Sequence, residues 1–110
     1  MKVLVVLALS ACLMLVAVAR ADDTPTFEIT IKDHKFAPSR LEVPAGWKVK
    51  LVVKNQDPTP EEFESYELNR EKVIPGNSQG VIFIGPLDPG TYPFFGDFNQ
   101  ARAQGKIIAK

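Results

Sequence analysis

Sulfur is almost absent from this chain: one cysteine and two methionines occur in 110 residues, and Met1, Cys12 and Met14 all lie in its first stretch. Beyond that stretch there is also only one imidazole, His34. A single cysteine cannot staple a small scaffold. The lack of thiol and thioether beyond residue 21 removes thiolate catalysis, cysteine-bound zinc and sulfur-ligated haem from that part of the chain. A charge surplus is missing as well, with 13 Lys+Arg against 13 Asp+Glu. Without clustered basic residues there is no electrostatic reason to expect nucleic acid or an anionic membrane as partner. At 45% hydrophobic residues the chain is too apolar to stay disordered, and its length suits one domain.

What is present begins with an address. Met1-Lys2 gives a positive start, Val3 to Val18 is nearly all apolar, and Ala19-Arg20-Ala21 has the small-x-small form read by signal peptidase. Residues 1–21 are therefore expected to be a cleaved signal peptide, residues 22–110 the domain, and the periplasm its location. The apolar run is slightly short for a retained membrane anchor. Leu9-Ser10-Ala11-Cys12 has a lipoprotein-like form, but the apolar segment ahead of it is too short and another follows it. Loss of Lys2 and Arg20 leaves 11 basic residues against 13 acidic ones.

Residues 22–110 show a period of two almost throughout. Phe27, Ile29 and Ile31 alternate with Glu28, Thr30 and Lys32, and Val49, Leu51 and Val53 with Lys48, Lys50 and Lys54, the pattern of strands with one buried face. Leu41 and Val43 lead into Pro44-Ala45-Gly46, while Thr91 to Phe95 and Lys106 to Ala109 supply later strands. Val81 to Ile84 is apolar at every position, which predicts a strand covered on both faces. Leu87-Asp88-Pro89-Gly90-Thr91-Tyr92 has the form of a tyrosine corner, with Tyr92 in a structural role. The expected fold is all-β, a Greek-key β-sandwich of about seven to eight strands. Most of the seven phenylalanines are expected in its core, with Phe98 and Trp47 at loop edges as contact residues.

One segment departs from this rhythm. Asp57 to Glu71, DPTPEEFESYELNRE, carries Glu61, Glu62, Glu64, Glu67 and Glu71, and its apolar residues fit neither clean alternation nor a helical face. It is expected as a loop with a strand edge or a short helical turn.

The run Val43-Pro44-Ala45-Gly46, the strand Val49 to Lys54 and the turn Asn55-Gln56-Asp57, with Leu87 to Phe95 and Gly105 to Ile108, resembles the cupredoxins over nearly all of residues 26–110. That resemblance implies a copper site of two imidazoles, a thiolate and a weak thioether. Carried across position by position, the first histidine falls on Glu61, the cysteine on Gly96, the second histidine on Asn99 and the methionine near Ala103. All four donors are replaced, so no type 1 copper is expected.

Oxygen donors stand in their place. Glu61, Glu62, Glu64, Glu67 and Asp97, with His34 as a nitrogen donor, are the candidate metal ligands. Such a set suits iron, manganese, calcium or weakly held copper(II). Affinity is expected to depend strongly on pH, because crowding carboxylates raises their pKa values until a cation arrives. The block Pro60 to Ser65, Glu67 to Gly76, Ile82 to Leu87 and Tyr92 to Gly96 further resembles the EfeO-type periplasmic domains that accompany iron permeases. This resemblance implies an iron or copper ion as cargo and a membrane iron permease or periplasmic metal-binding protein as partner. Three readings follow: a metal-binding module, a metal-free docking domain, and a ferroxidase-like protein, for which no second metal cluster is evident in the sequence. His34 follows the first strand, where a plain turn histidine is the ordinary expectation.

Overall fold

The computed structural model describes residues 23–110; the signal-peptide reading of residues 1–21 lies outside them. Nine strands form two sheets. They are β1 (Thr26–Lys32), β2 (Lys35–Ala37), β3 (Arg40–Val43), β4 (Val49–Asn55), β5 (Glu61–Ser65), β6 (Arg70–Ile74), β7 (Ser78–Ile84), β8 (Gly90–Gly96) and β9 (Gln104–Ala109). One sheet has the order β2-β1-β4-β7 and the other β3-β9-β8-β5-β6. The pairs β1/β4 and β3/β9 are parallel, and the other pairings are antiparallel. The chain crosses between sheets after β2, β3, β4, β6 and β7, giving the all-β Greek-key sandwich expected.

Alternation explains which residues fill it. Ile29 and Ile31 of β1, Val49, Leu51 and Val53 of β4, Ile82 and Ile84 of β7, and Ile107 and Ala109 of β9 are buried. Phe36, Phe63 and Phe94 meet at the centre, with Phe63 stacked on Phe94 at 4.9 Å between centroids and Phe36 edge-on to Phe94 at 4.9 Å. Aromatic pairs of this kind add to the burial of apolar area that drives folding. The Tyr92 hydroxyl donates to the Asp88 carbonyl at 2.8 Å, closing the tyrosine corner.

The Asn55-Gln56-Asp57 turn organises the end of the sandwich. The Asn55 amide donates to the carbonyls of Thr59, Ile74 and Pro75, and its oxygen accepts from the Asp57 N–H. Asp57 in turn accepts the N–H groups of Asp33 at 2.8 Å and His34 at 2.9 Å. Those two residues form the β1–β2 turn with φ of 53° and 60°, a left-handed pair that costs energy in non-glycine residues. The carboxylate offsets that cost.

Two expectations are corrected. Val81 and Phe83 are 36% and 44% exposed, because β7 is an edge strand and, among the described residues, nothing packs outside its sheet. Phe83 instead lies under the Lys48 ammonium, 4.8 Å from its ring centre. Within Asp57 to Glu71, β5 is a regular strand joined by a turn to β6. Its inward positions are Glu61, Phe63 and Ser65. Two of these three are polar, so the hydrophobic signal of a strand is lost although the conformation is present.

Candidate functional site

A period of two divides the acidic run at the start of β5. Glu61, Phe63 and Ser65 face the core, while Glu62 and Glu64 face outward on the five-stranded sheet. Adjacent glutamates thus enter different environments.

Glu61 is 1% exposed. Its Oε1 accepts the N–H of Glu62 at 2.9 Å and the N–H of Phe98 at 2.9 Å, and its Oε2 accepts the Asn99 side-chain amide at 2.7 Å. Gly96 and Ala103 close the same space. A Cβ built on Gly96 would stand 2.6 Å from the Glu61 carboxyl carbon and 2.6 Å from the Ala103 methyl. Glu61, Gly96, Asn99 and Ala103 therefore converge, as the resemblance to a cupredoxin copper site implies. They do not fit copper of that type: no thiolate or imidazole is present, and an internal carboxylate–amide contact fills the cradle.

The outer face differs. Carboxylate oxygens of Glu62, Glu64 and Asp97 all lie within 4.8 Å of one another, on half-buried residues. Glu71 of β6 pairs with Glu64 in the strand register and adds a fourth negative charge. Partial burial, then the charges of Glu71, Glu64 and Asp97, push the Glu62 carboxyl above the usual range. Glu64 is raised by partial burial, Asp97 and Glu71. No Lys or Arg makes an ion pair with this trio among the described residues. A cation is the species whose arrival would relieve the crowding, and carboxylate oxygens at this spacing suit a hard one. The cluster is a surface able to bind a metal ion.

The remaining candidates stand elsewhere. His34 lies in the β1–β2 turn with Nδ1 3.7 Å from Asp57 Oδ2, in a cleft of about 500 Å³ shared with Lys32, Lys35 and Arg102. Burial pushes the Asp57 carboxyl up, but the N–H donors of His34 and Asp33 and the charges of His34 and Lys32 outweigh it, and the net shift is down. Glu67 is exposed in the β5–β6 turn and is outside the trio. The six candidate donors therefore form no single group: three meet on the outer face, one is turned inward, and two stand apart.

Of the other residues on this face, sequence reasoning singled out Phe98 as a contact residue but not Tyr66 or Val73. Tyr66, 74% exposed, lies against Phe95 with ring centres 5.5 Å apart. Phe98, 49% exposed, follows Asp97, and Val73, 48% exposed, is opposite Glu62 in register. Only knowledge of the hairpin register could have placed Val73 and Glu71 beside the trio. Arg70 bonds backbone, donating to the carbonyls of Phe83 and Asn69.

Residues 5–109 match the sequence profile of the cupredoxin-like domain. The uncharacterized protein RP394 of Rickettsia prowazekii (strain Madrid E) is 49% identical over 87 residues, 79% of this chain and 70% of that protein. Among solved structures, auracyanin A, a blue copper protein of Chloroflexus aurantiacus, superposes with a TM-score of 0.69 at 17% identity, covering 80% of this chain and 100% of its own. The metal-binding domain of the Cu(I)-exporting P-type ATPase CopA of Streptococcus pneumoniae D39 gives 0.68 at 14% identity, covering 84% and 91%. Amicyanin of Paracoccus versutus gives 0.60 at 13% identity, covering 83% and 85%. At these identities the structures establish the fold alone.

Proposed function

The chain belongs to the cupredoxin-like domain family, and from that premise we propose that it is an exported metal-binding module which holds an iron or copper ion through Glu62, Glu64 and Asp97 and passes it to a metal-uptake partner. The observation that carries this reading is the approach of those three carboxylates to within 4.8 Å, with no Lys or Arg ion-paired to them among the described residues. Hard oxygen donors favour iron over copper(I), which calls for sulfur. The signal-like residues 1–21 and the resemblance of the Pro60–Gly76 block to EfeO-type domains support a periplasmic role beside an iron permease. The CopA domain, a metal-binding domain of a membrane transporter, supports a transporter as the partner class.

Calorimetric titration with anaerobic ferrous iron, manganese(II) and copper(II) tests the reading. Binding in the micromolar range is expected, weakened at least about tenfold by Glu62→Gln combined with Glu64→Gln. An unchanged affinity in that variant would overturn it.

A second reading has its own observation: Tyr66, Phe98 and Val73 expose apolar surface around the same carboxylates. As a metal-free docking domain the chain would present this acidic, aromatic face to its uptake partner. The absence of heat from all three ions would favour it.

A further inference from the structure

The chain is neutral by count, with 13 basic residues against 13 acidic ones, but its two sheets sort the charges. On the four-stranded sheet, Lys50, Val52 and Lys54 alternate with the buried Val49, Leu51, Val53 and Asn55 of β4 and so point outward. The same face carries Lys32 at the end of β1, Lys35 opposite it on β2, and Val81 and Phe83 on β7. Lys50 pairs with Phe83 in register and Val52 with Val81. Trp47 and Lys48 stand directly ahead of β4, Trp47 at 56% exposure and the Lys48 ammonium over the Phe83 ring. The strands of this sheet hold a single carboxylate, Glu28, which is paired with Lys54. Lys32, Lys35, Lys48 and Lys50 make no ion pair among the described residues. The opposite outer face holds Glu62, Glu64 and Glu71, with Asp97 beside them. The sandwich is therefore polarised across its thickness.

We propose that this lysine and aromatic face is a docking surface for an anionic phospholipid bilayer, on which the domain lies with its acidic face turned away. The charge pattern selects the occupant. The lysines run from Lys48 ahead of β4 to Lys32 and Lys35 beyond its far end, a span of roughly 20 Å. An extended plane of negative headgroups meets all of them, whereas a compact acidic patch on a protein meets only some. At one end, Lys48 and Lys50 flank Trp47 and Phe83. An indole, apolar in body and polar at its N–H, suits the headgroup level of a bilayer. Lysines beside it keep their ammonium groups at the phosphates while their stems cover apolar surface. Repulsion of Glu62, Glu64, Glu71 and Asp97 by the same plane leaves one orientation favoured. Each lysine brought to such a surface is worth about fivefold in partitioning, and salt screens the attraction. The docking does not depend on whether the carboxylate trio holds an ion.

Trp47 is the chain's one tryptophan, so its fluorescence reports on this face alone. The protein is used from Asp22 onward, because the apolar residues 1–21 would bind lipid by themselves and residues 23–110 contain all nine strands and their core. Vesicles of phosphatidylglycerol and phosphatidylcholine should bind it and shift Trp47 emission to the blue, and vesicles of phosphatidylcholine alone should do neither. Salt at about 0.5 M should release the bound protein. Lys48→Glu with Lys50→Glu should weaken binding at least about tenfold. Arg40→Glu with Lys106→Glu makes the same charge change on the other outer face and should cost far less. Equal losses in the two double variants would show attraction to net charge rather than to this face and would overturn the proposal. So would anionic vesicles that leave Trp47 emission unchanged. A shift with poly-L-glutamate but not with vesicles would overturn it too, and would assign the face to an acidic protein.

Discussion

The Asn99 side-chain amide donates a 2.7 Å hydrogen bond to Glu61 Oε2, and these are the two positions at which the cupredoxin resemblance implies histidines. A carboxyl group inside the sandwich is held by donors of the chain itself. The contact requires Gly96, since a Cβ there would overlap the Glu61 carboxyl carbon.

Gly96→Ala should consequently destabilise the protein by about 1–3 kcal/mol through overpacking. Urea denaturation measures it. A neutral substitution would show that Glu61 can leave its place at little cost.

The same positions predict a gain of chemistry. Glu61→His, Gly96→Cys and Asn99→His together with Ala103→Met remove the Glu61 carboxylate, one of the two groups that crowd a Cβ at residue 96, leave the Cβ of residue 103 to give way by a small shift, and supply a soft donor set. The quadruple variant with copper(II) should develop an intense visible thiolate-to-copper band. Wild type should show none.

The core and the outer aromatics should respond differently. Phe63→Ala removes a fully buried ring stacked on Phe94 and should cost about 3–5 kcal/mol. Phe83→Ala, on the solvent face, should cost under about 1 kcal/mol, including its contact with Lys48. Comparable losses would mean that something in solution covers β7.

The pH dependence has two opposed parts. Asp57 is shifted down, so its contribution to stability is present above the ordinary aspartate range and is lost as pH falls through the folded-state value. Glu62 and Glu64 are shifted up, so the native state keeps protons that the unfolded chain releases. Their contribution is full below the ordinary glutamate range and is lost as pH rises through the folded-state values. Asp57→Asn should flatten the acid limb of the stability curve. Glu62→Gln with Glu64→Gln should raise the neutral-pH midpoint and leave the acid one alone. Denaturation midpoints from about pH 3 to about pH 8 read both effects.

The sandwich was legible because most of its strands alternate cleanly and its turns carry Pro, Gly, Asn and Asp. The Glu61–Ser65 strand was hidden for a physical reason: its inward face holds a glutamate and a serine, stabilised by hydrogen bonds that no hydropathy pattern records. Ser65 donates to Pro93 O and accepts the Leu68 N–H, as Glu61 does with its loop donors. Arg70 to Val73 on β6 is a sheet edge, exposed at every position, and so lacks a period. In the site, sequence could name Glu61, Glu62, Glu64 and Asp97 but could not divide them. Once the strand is placed, alternation sends Glu61 in and its neighbours out. Glu71 came beside them only through the β5–β6 register.

Anomalous diffraction from manganese-soaked crystals distinguishes an ion on the outer sheet face from one in the interior cradle. A peak bridged by Glu62, Glu64 and Asp97 is expected, with the Glu61–Asn99 contact intact and free of metal. A peak between Glu61, Asn99 and Ala103, or density at His34 alone, would contradict this expectation.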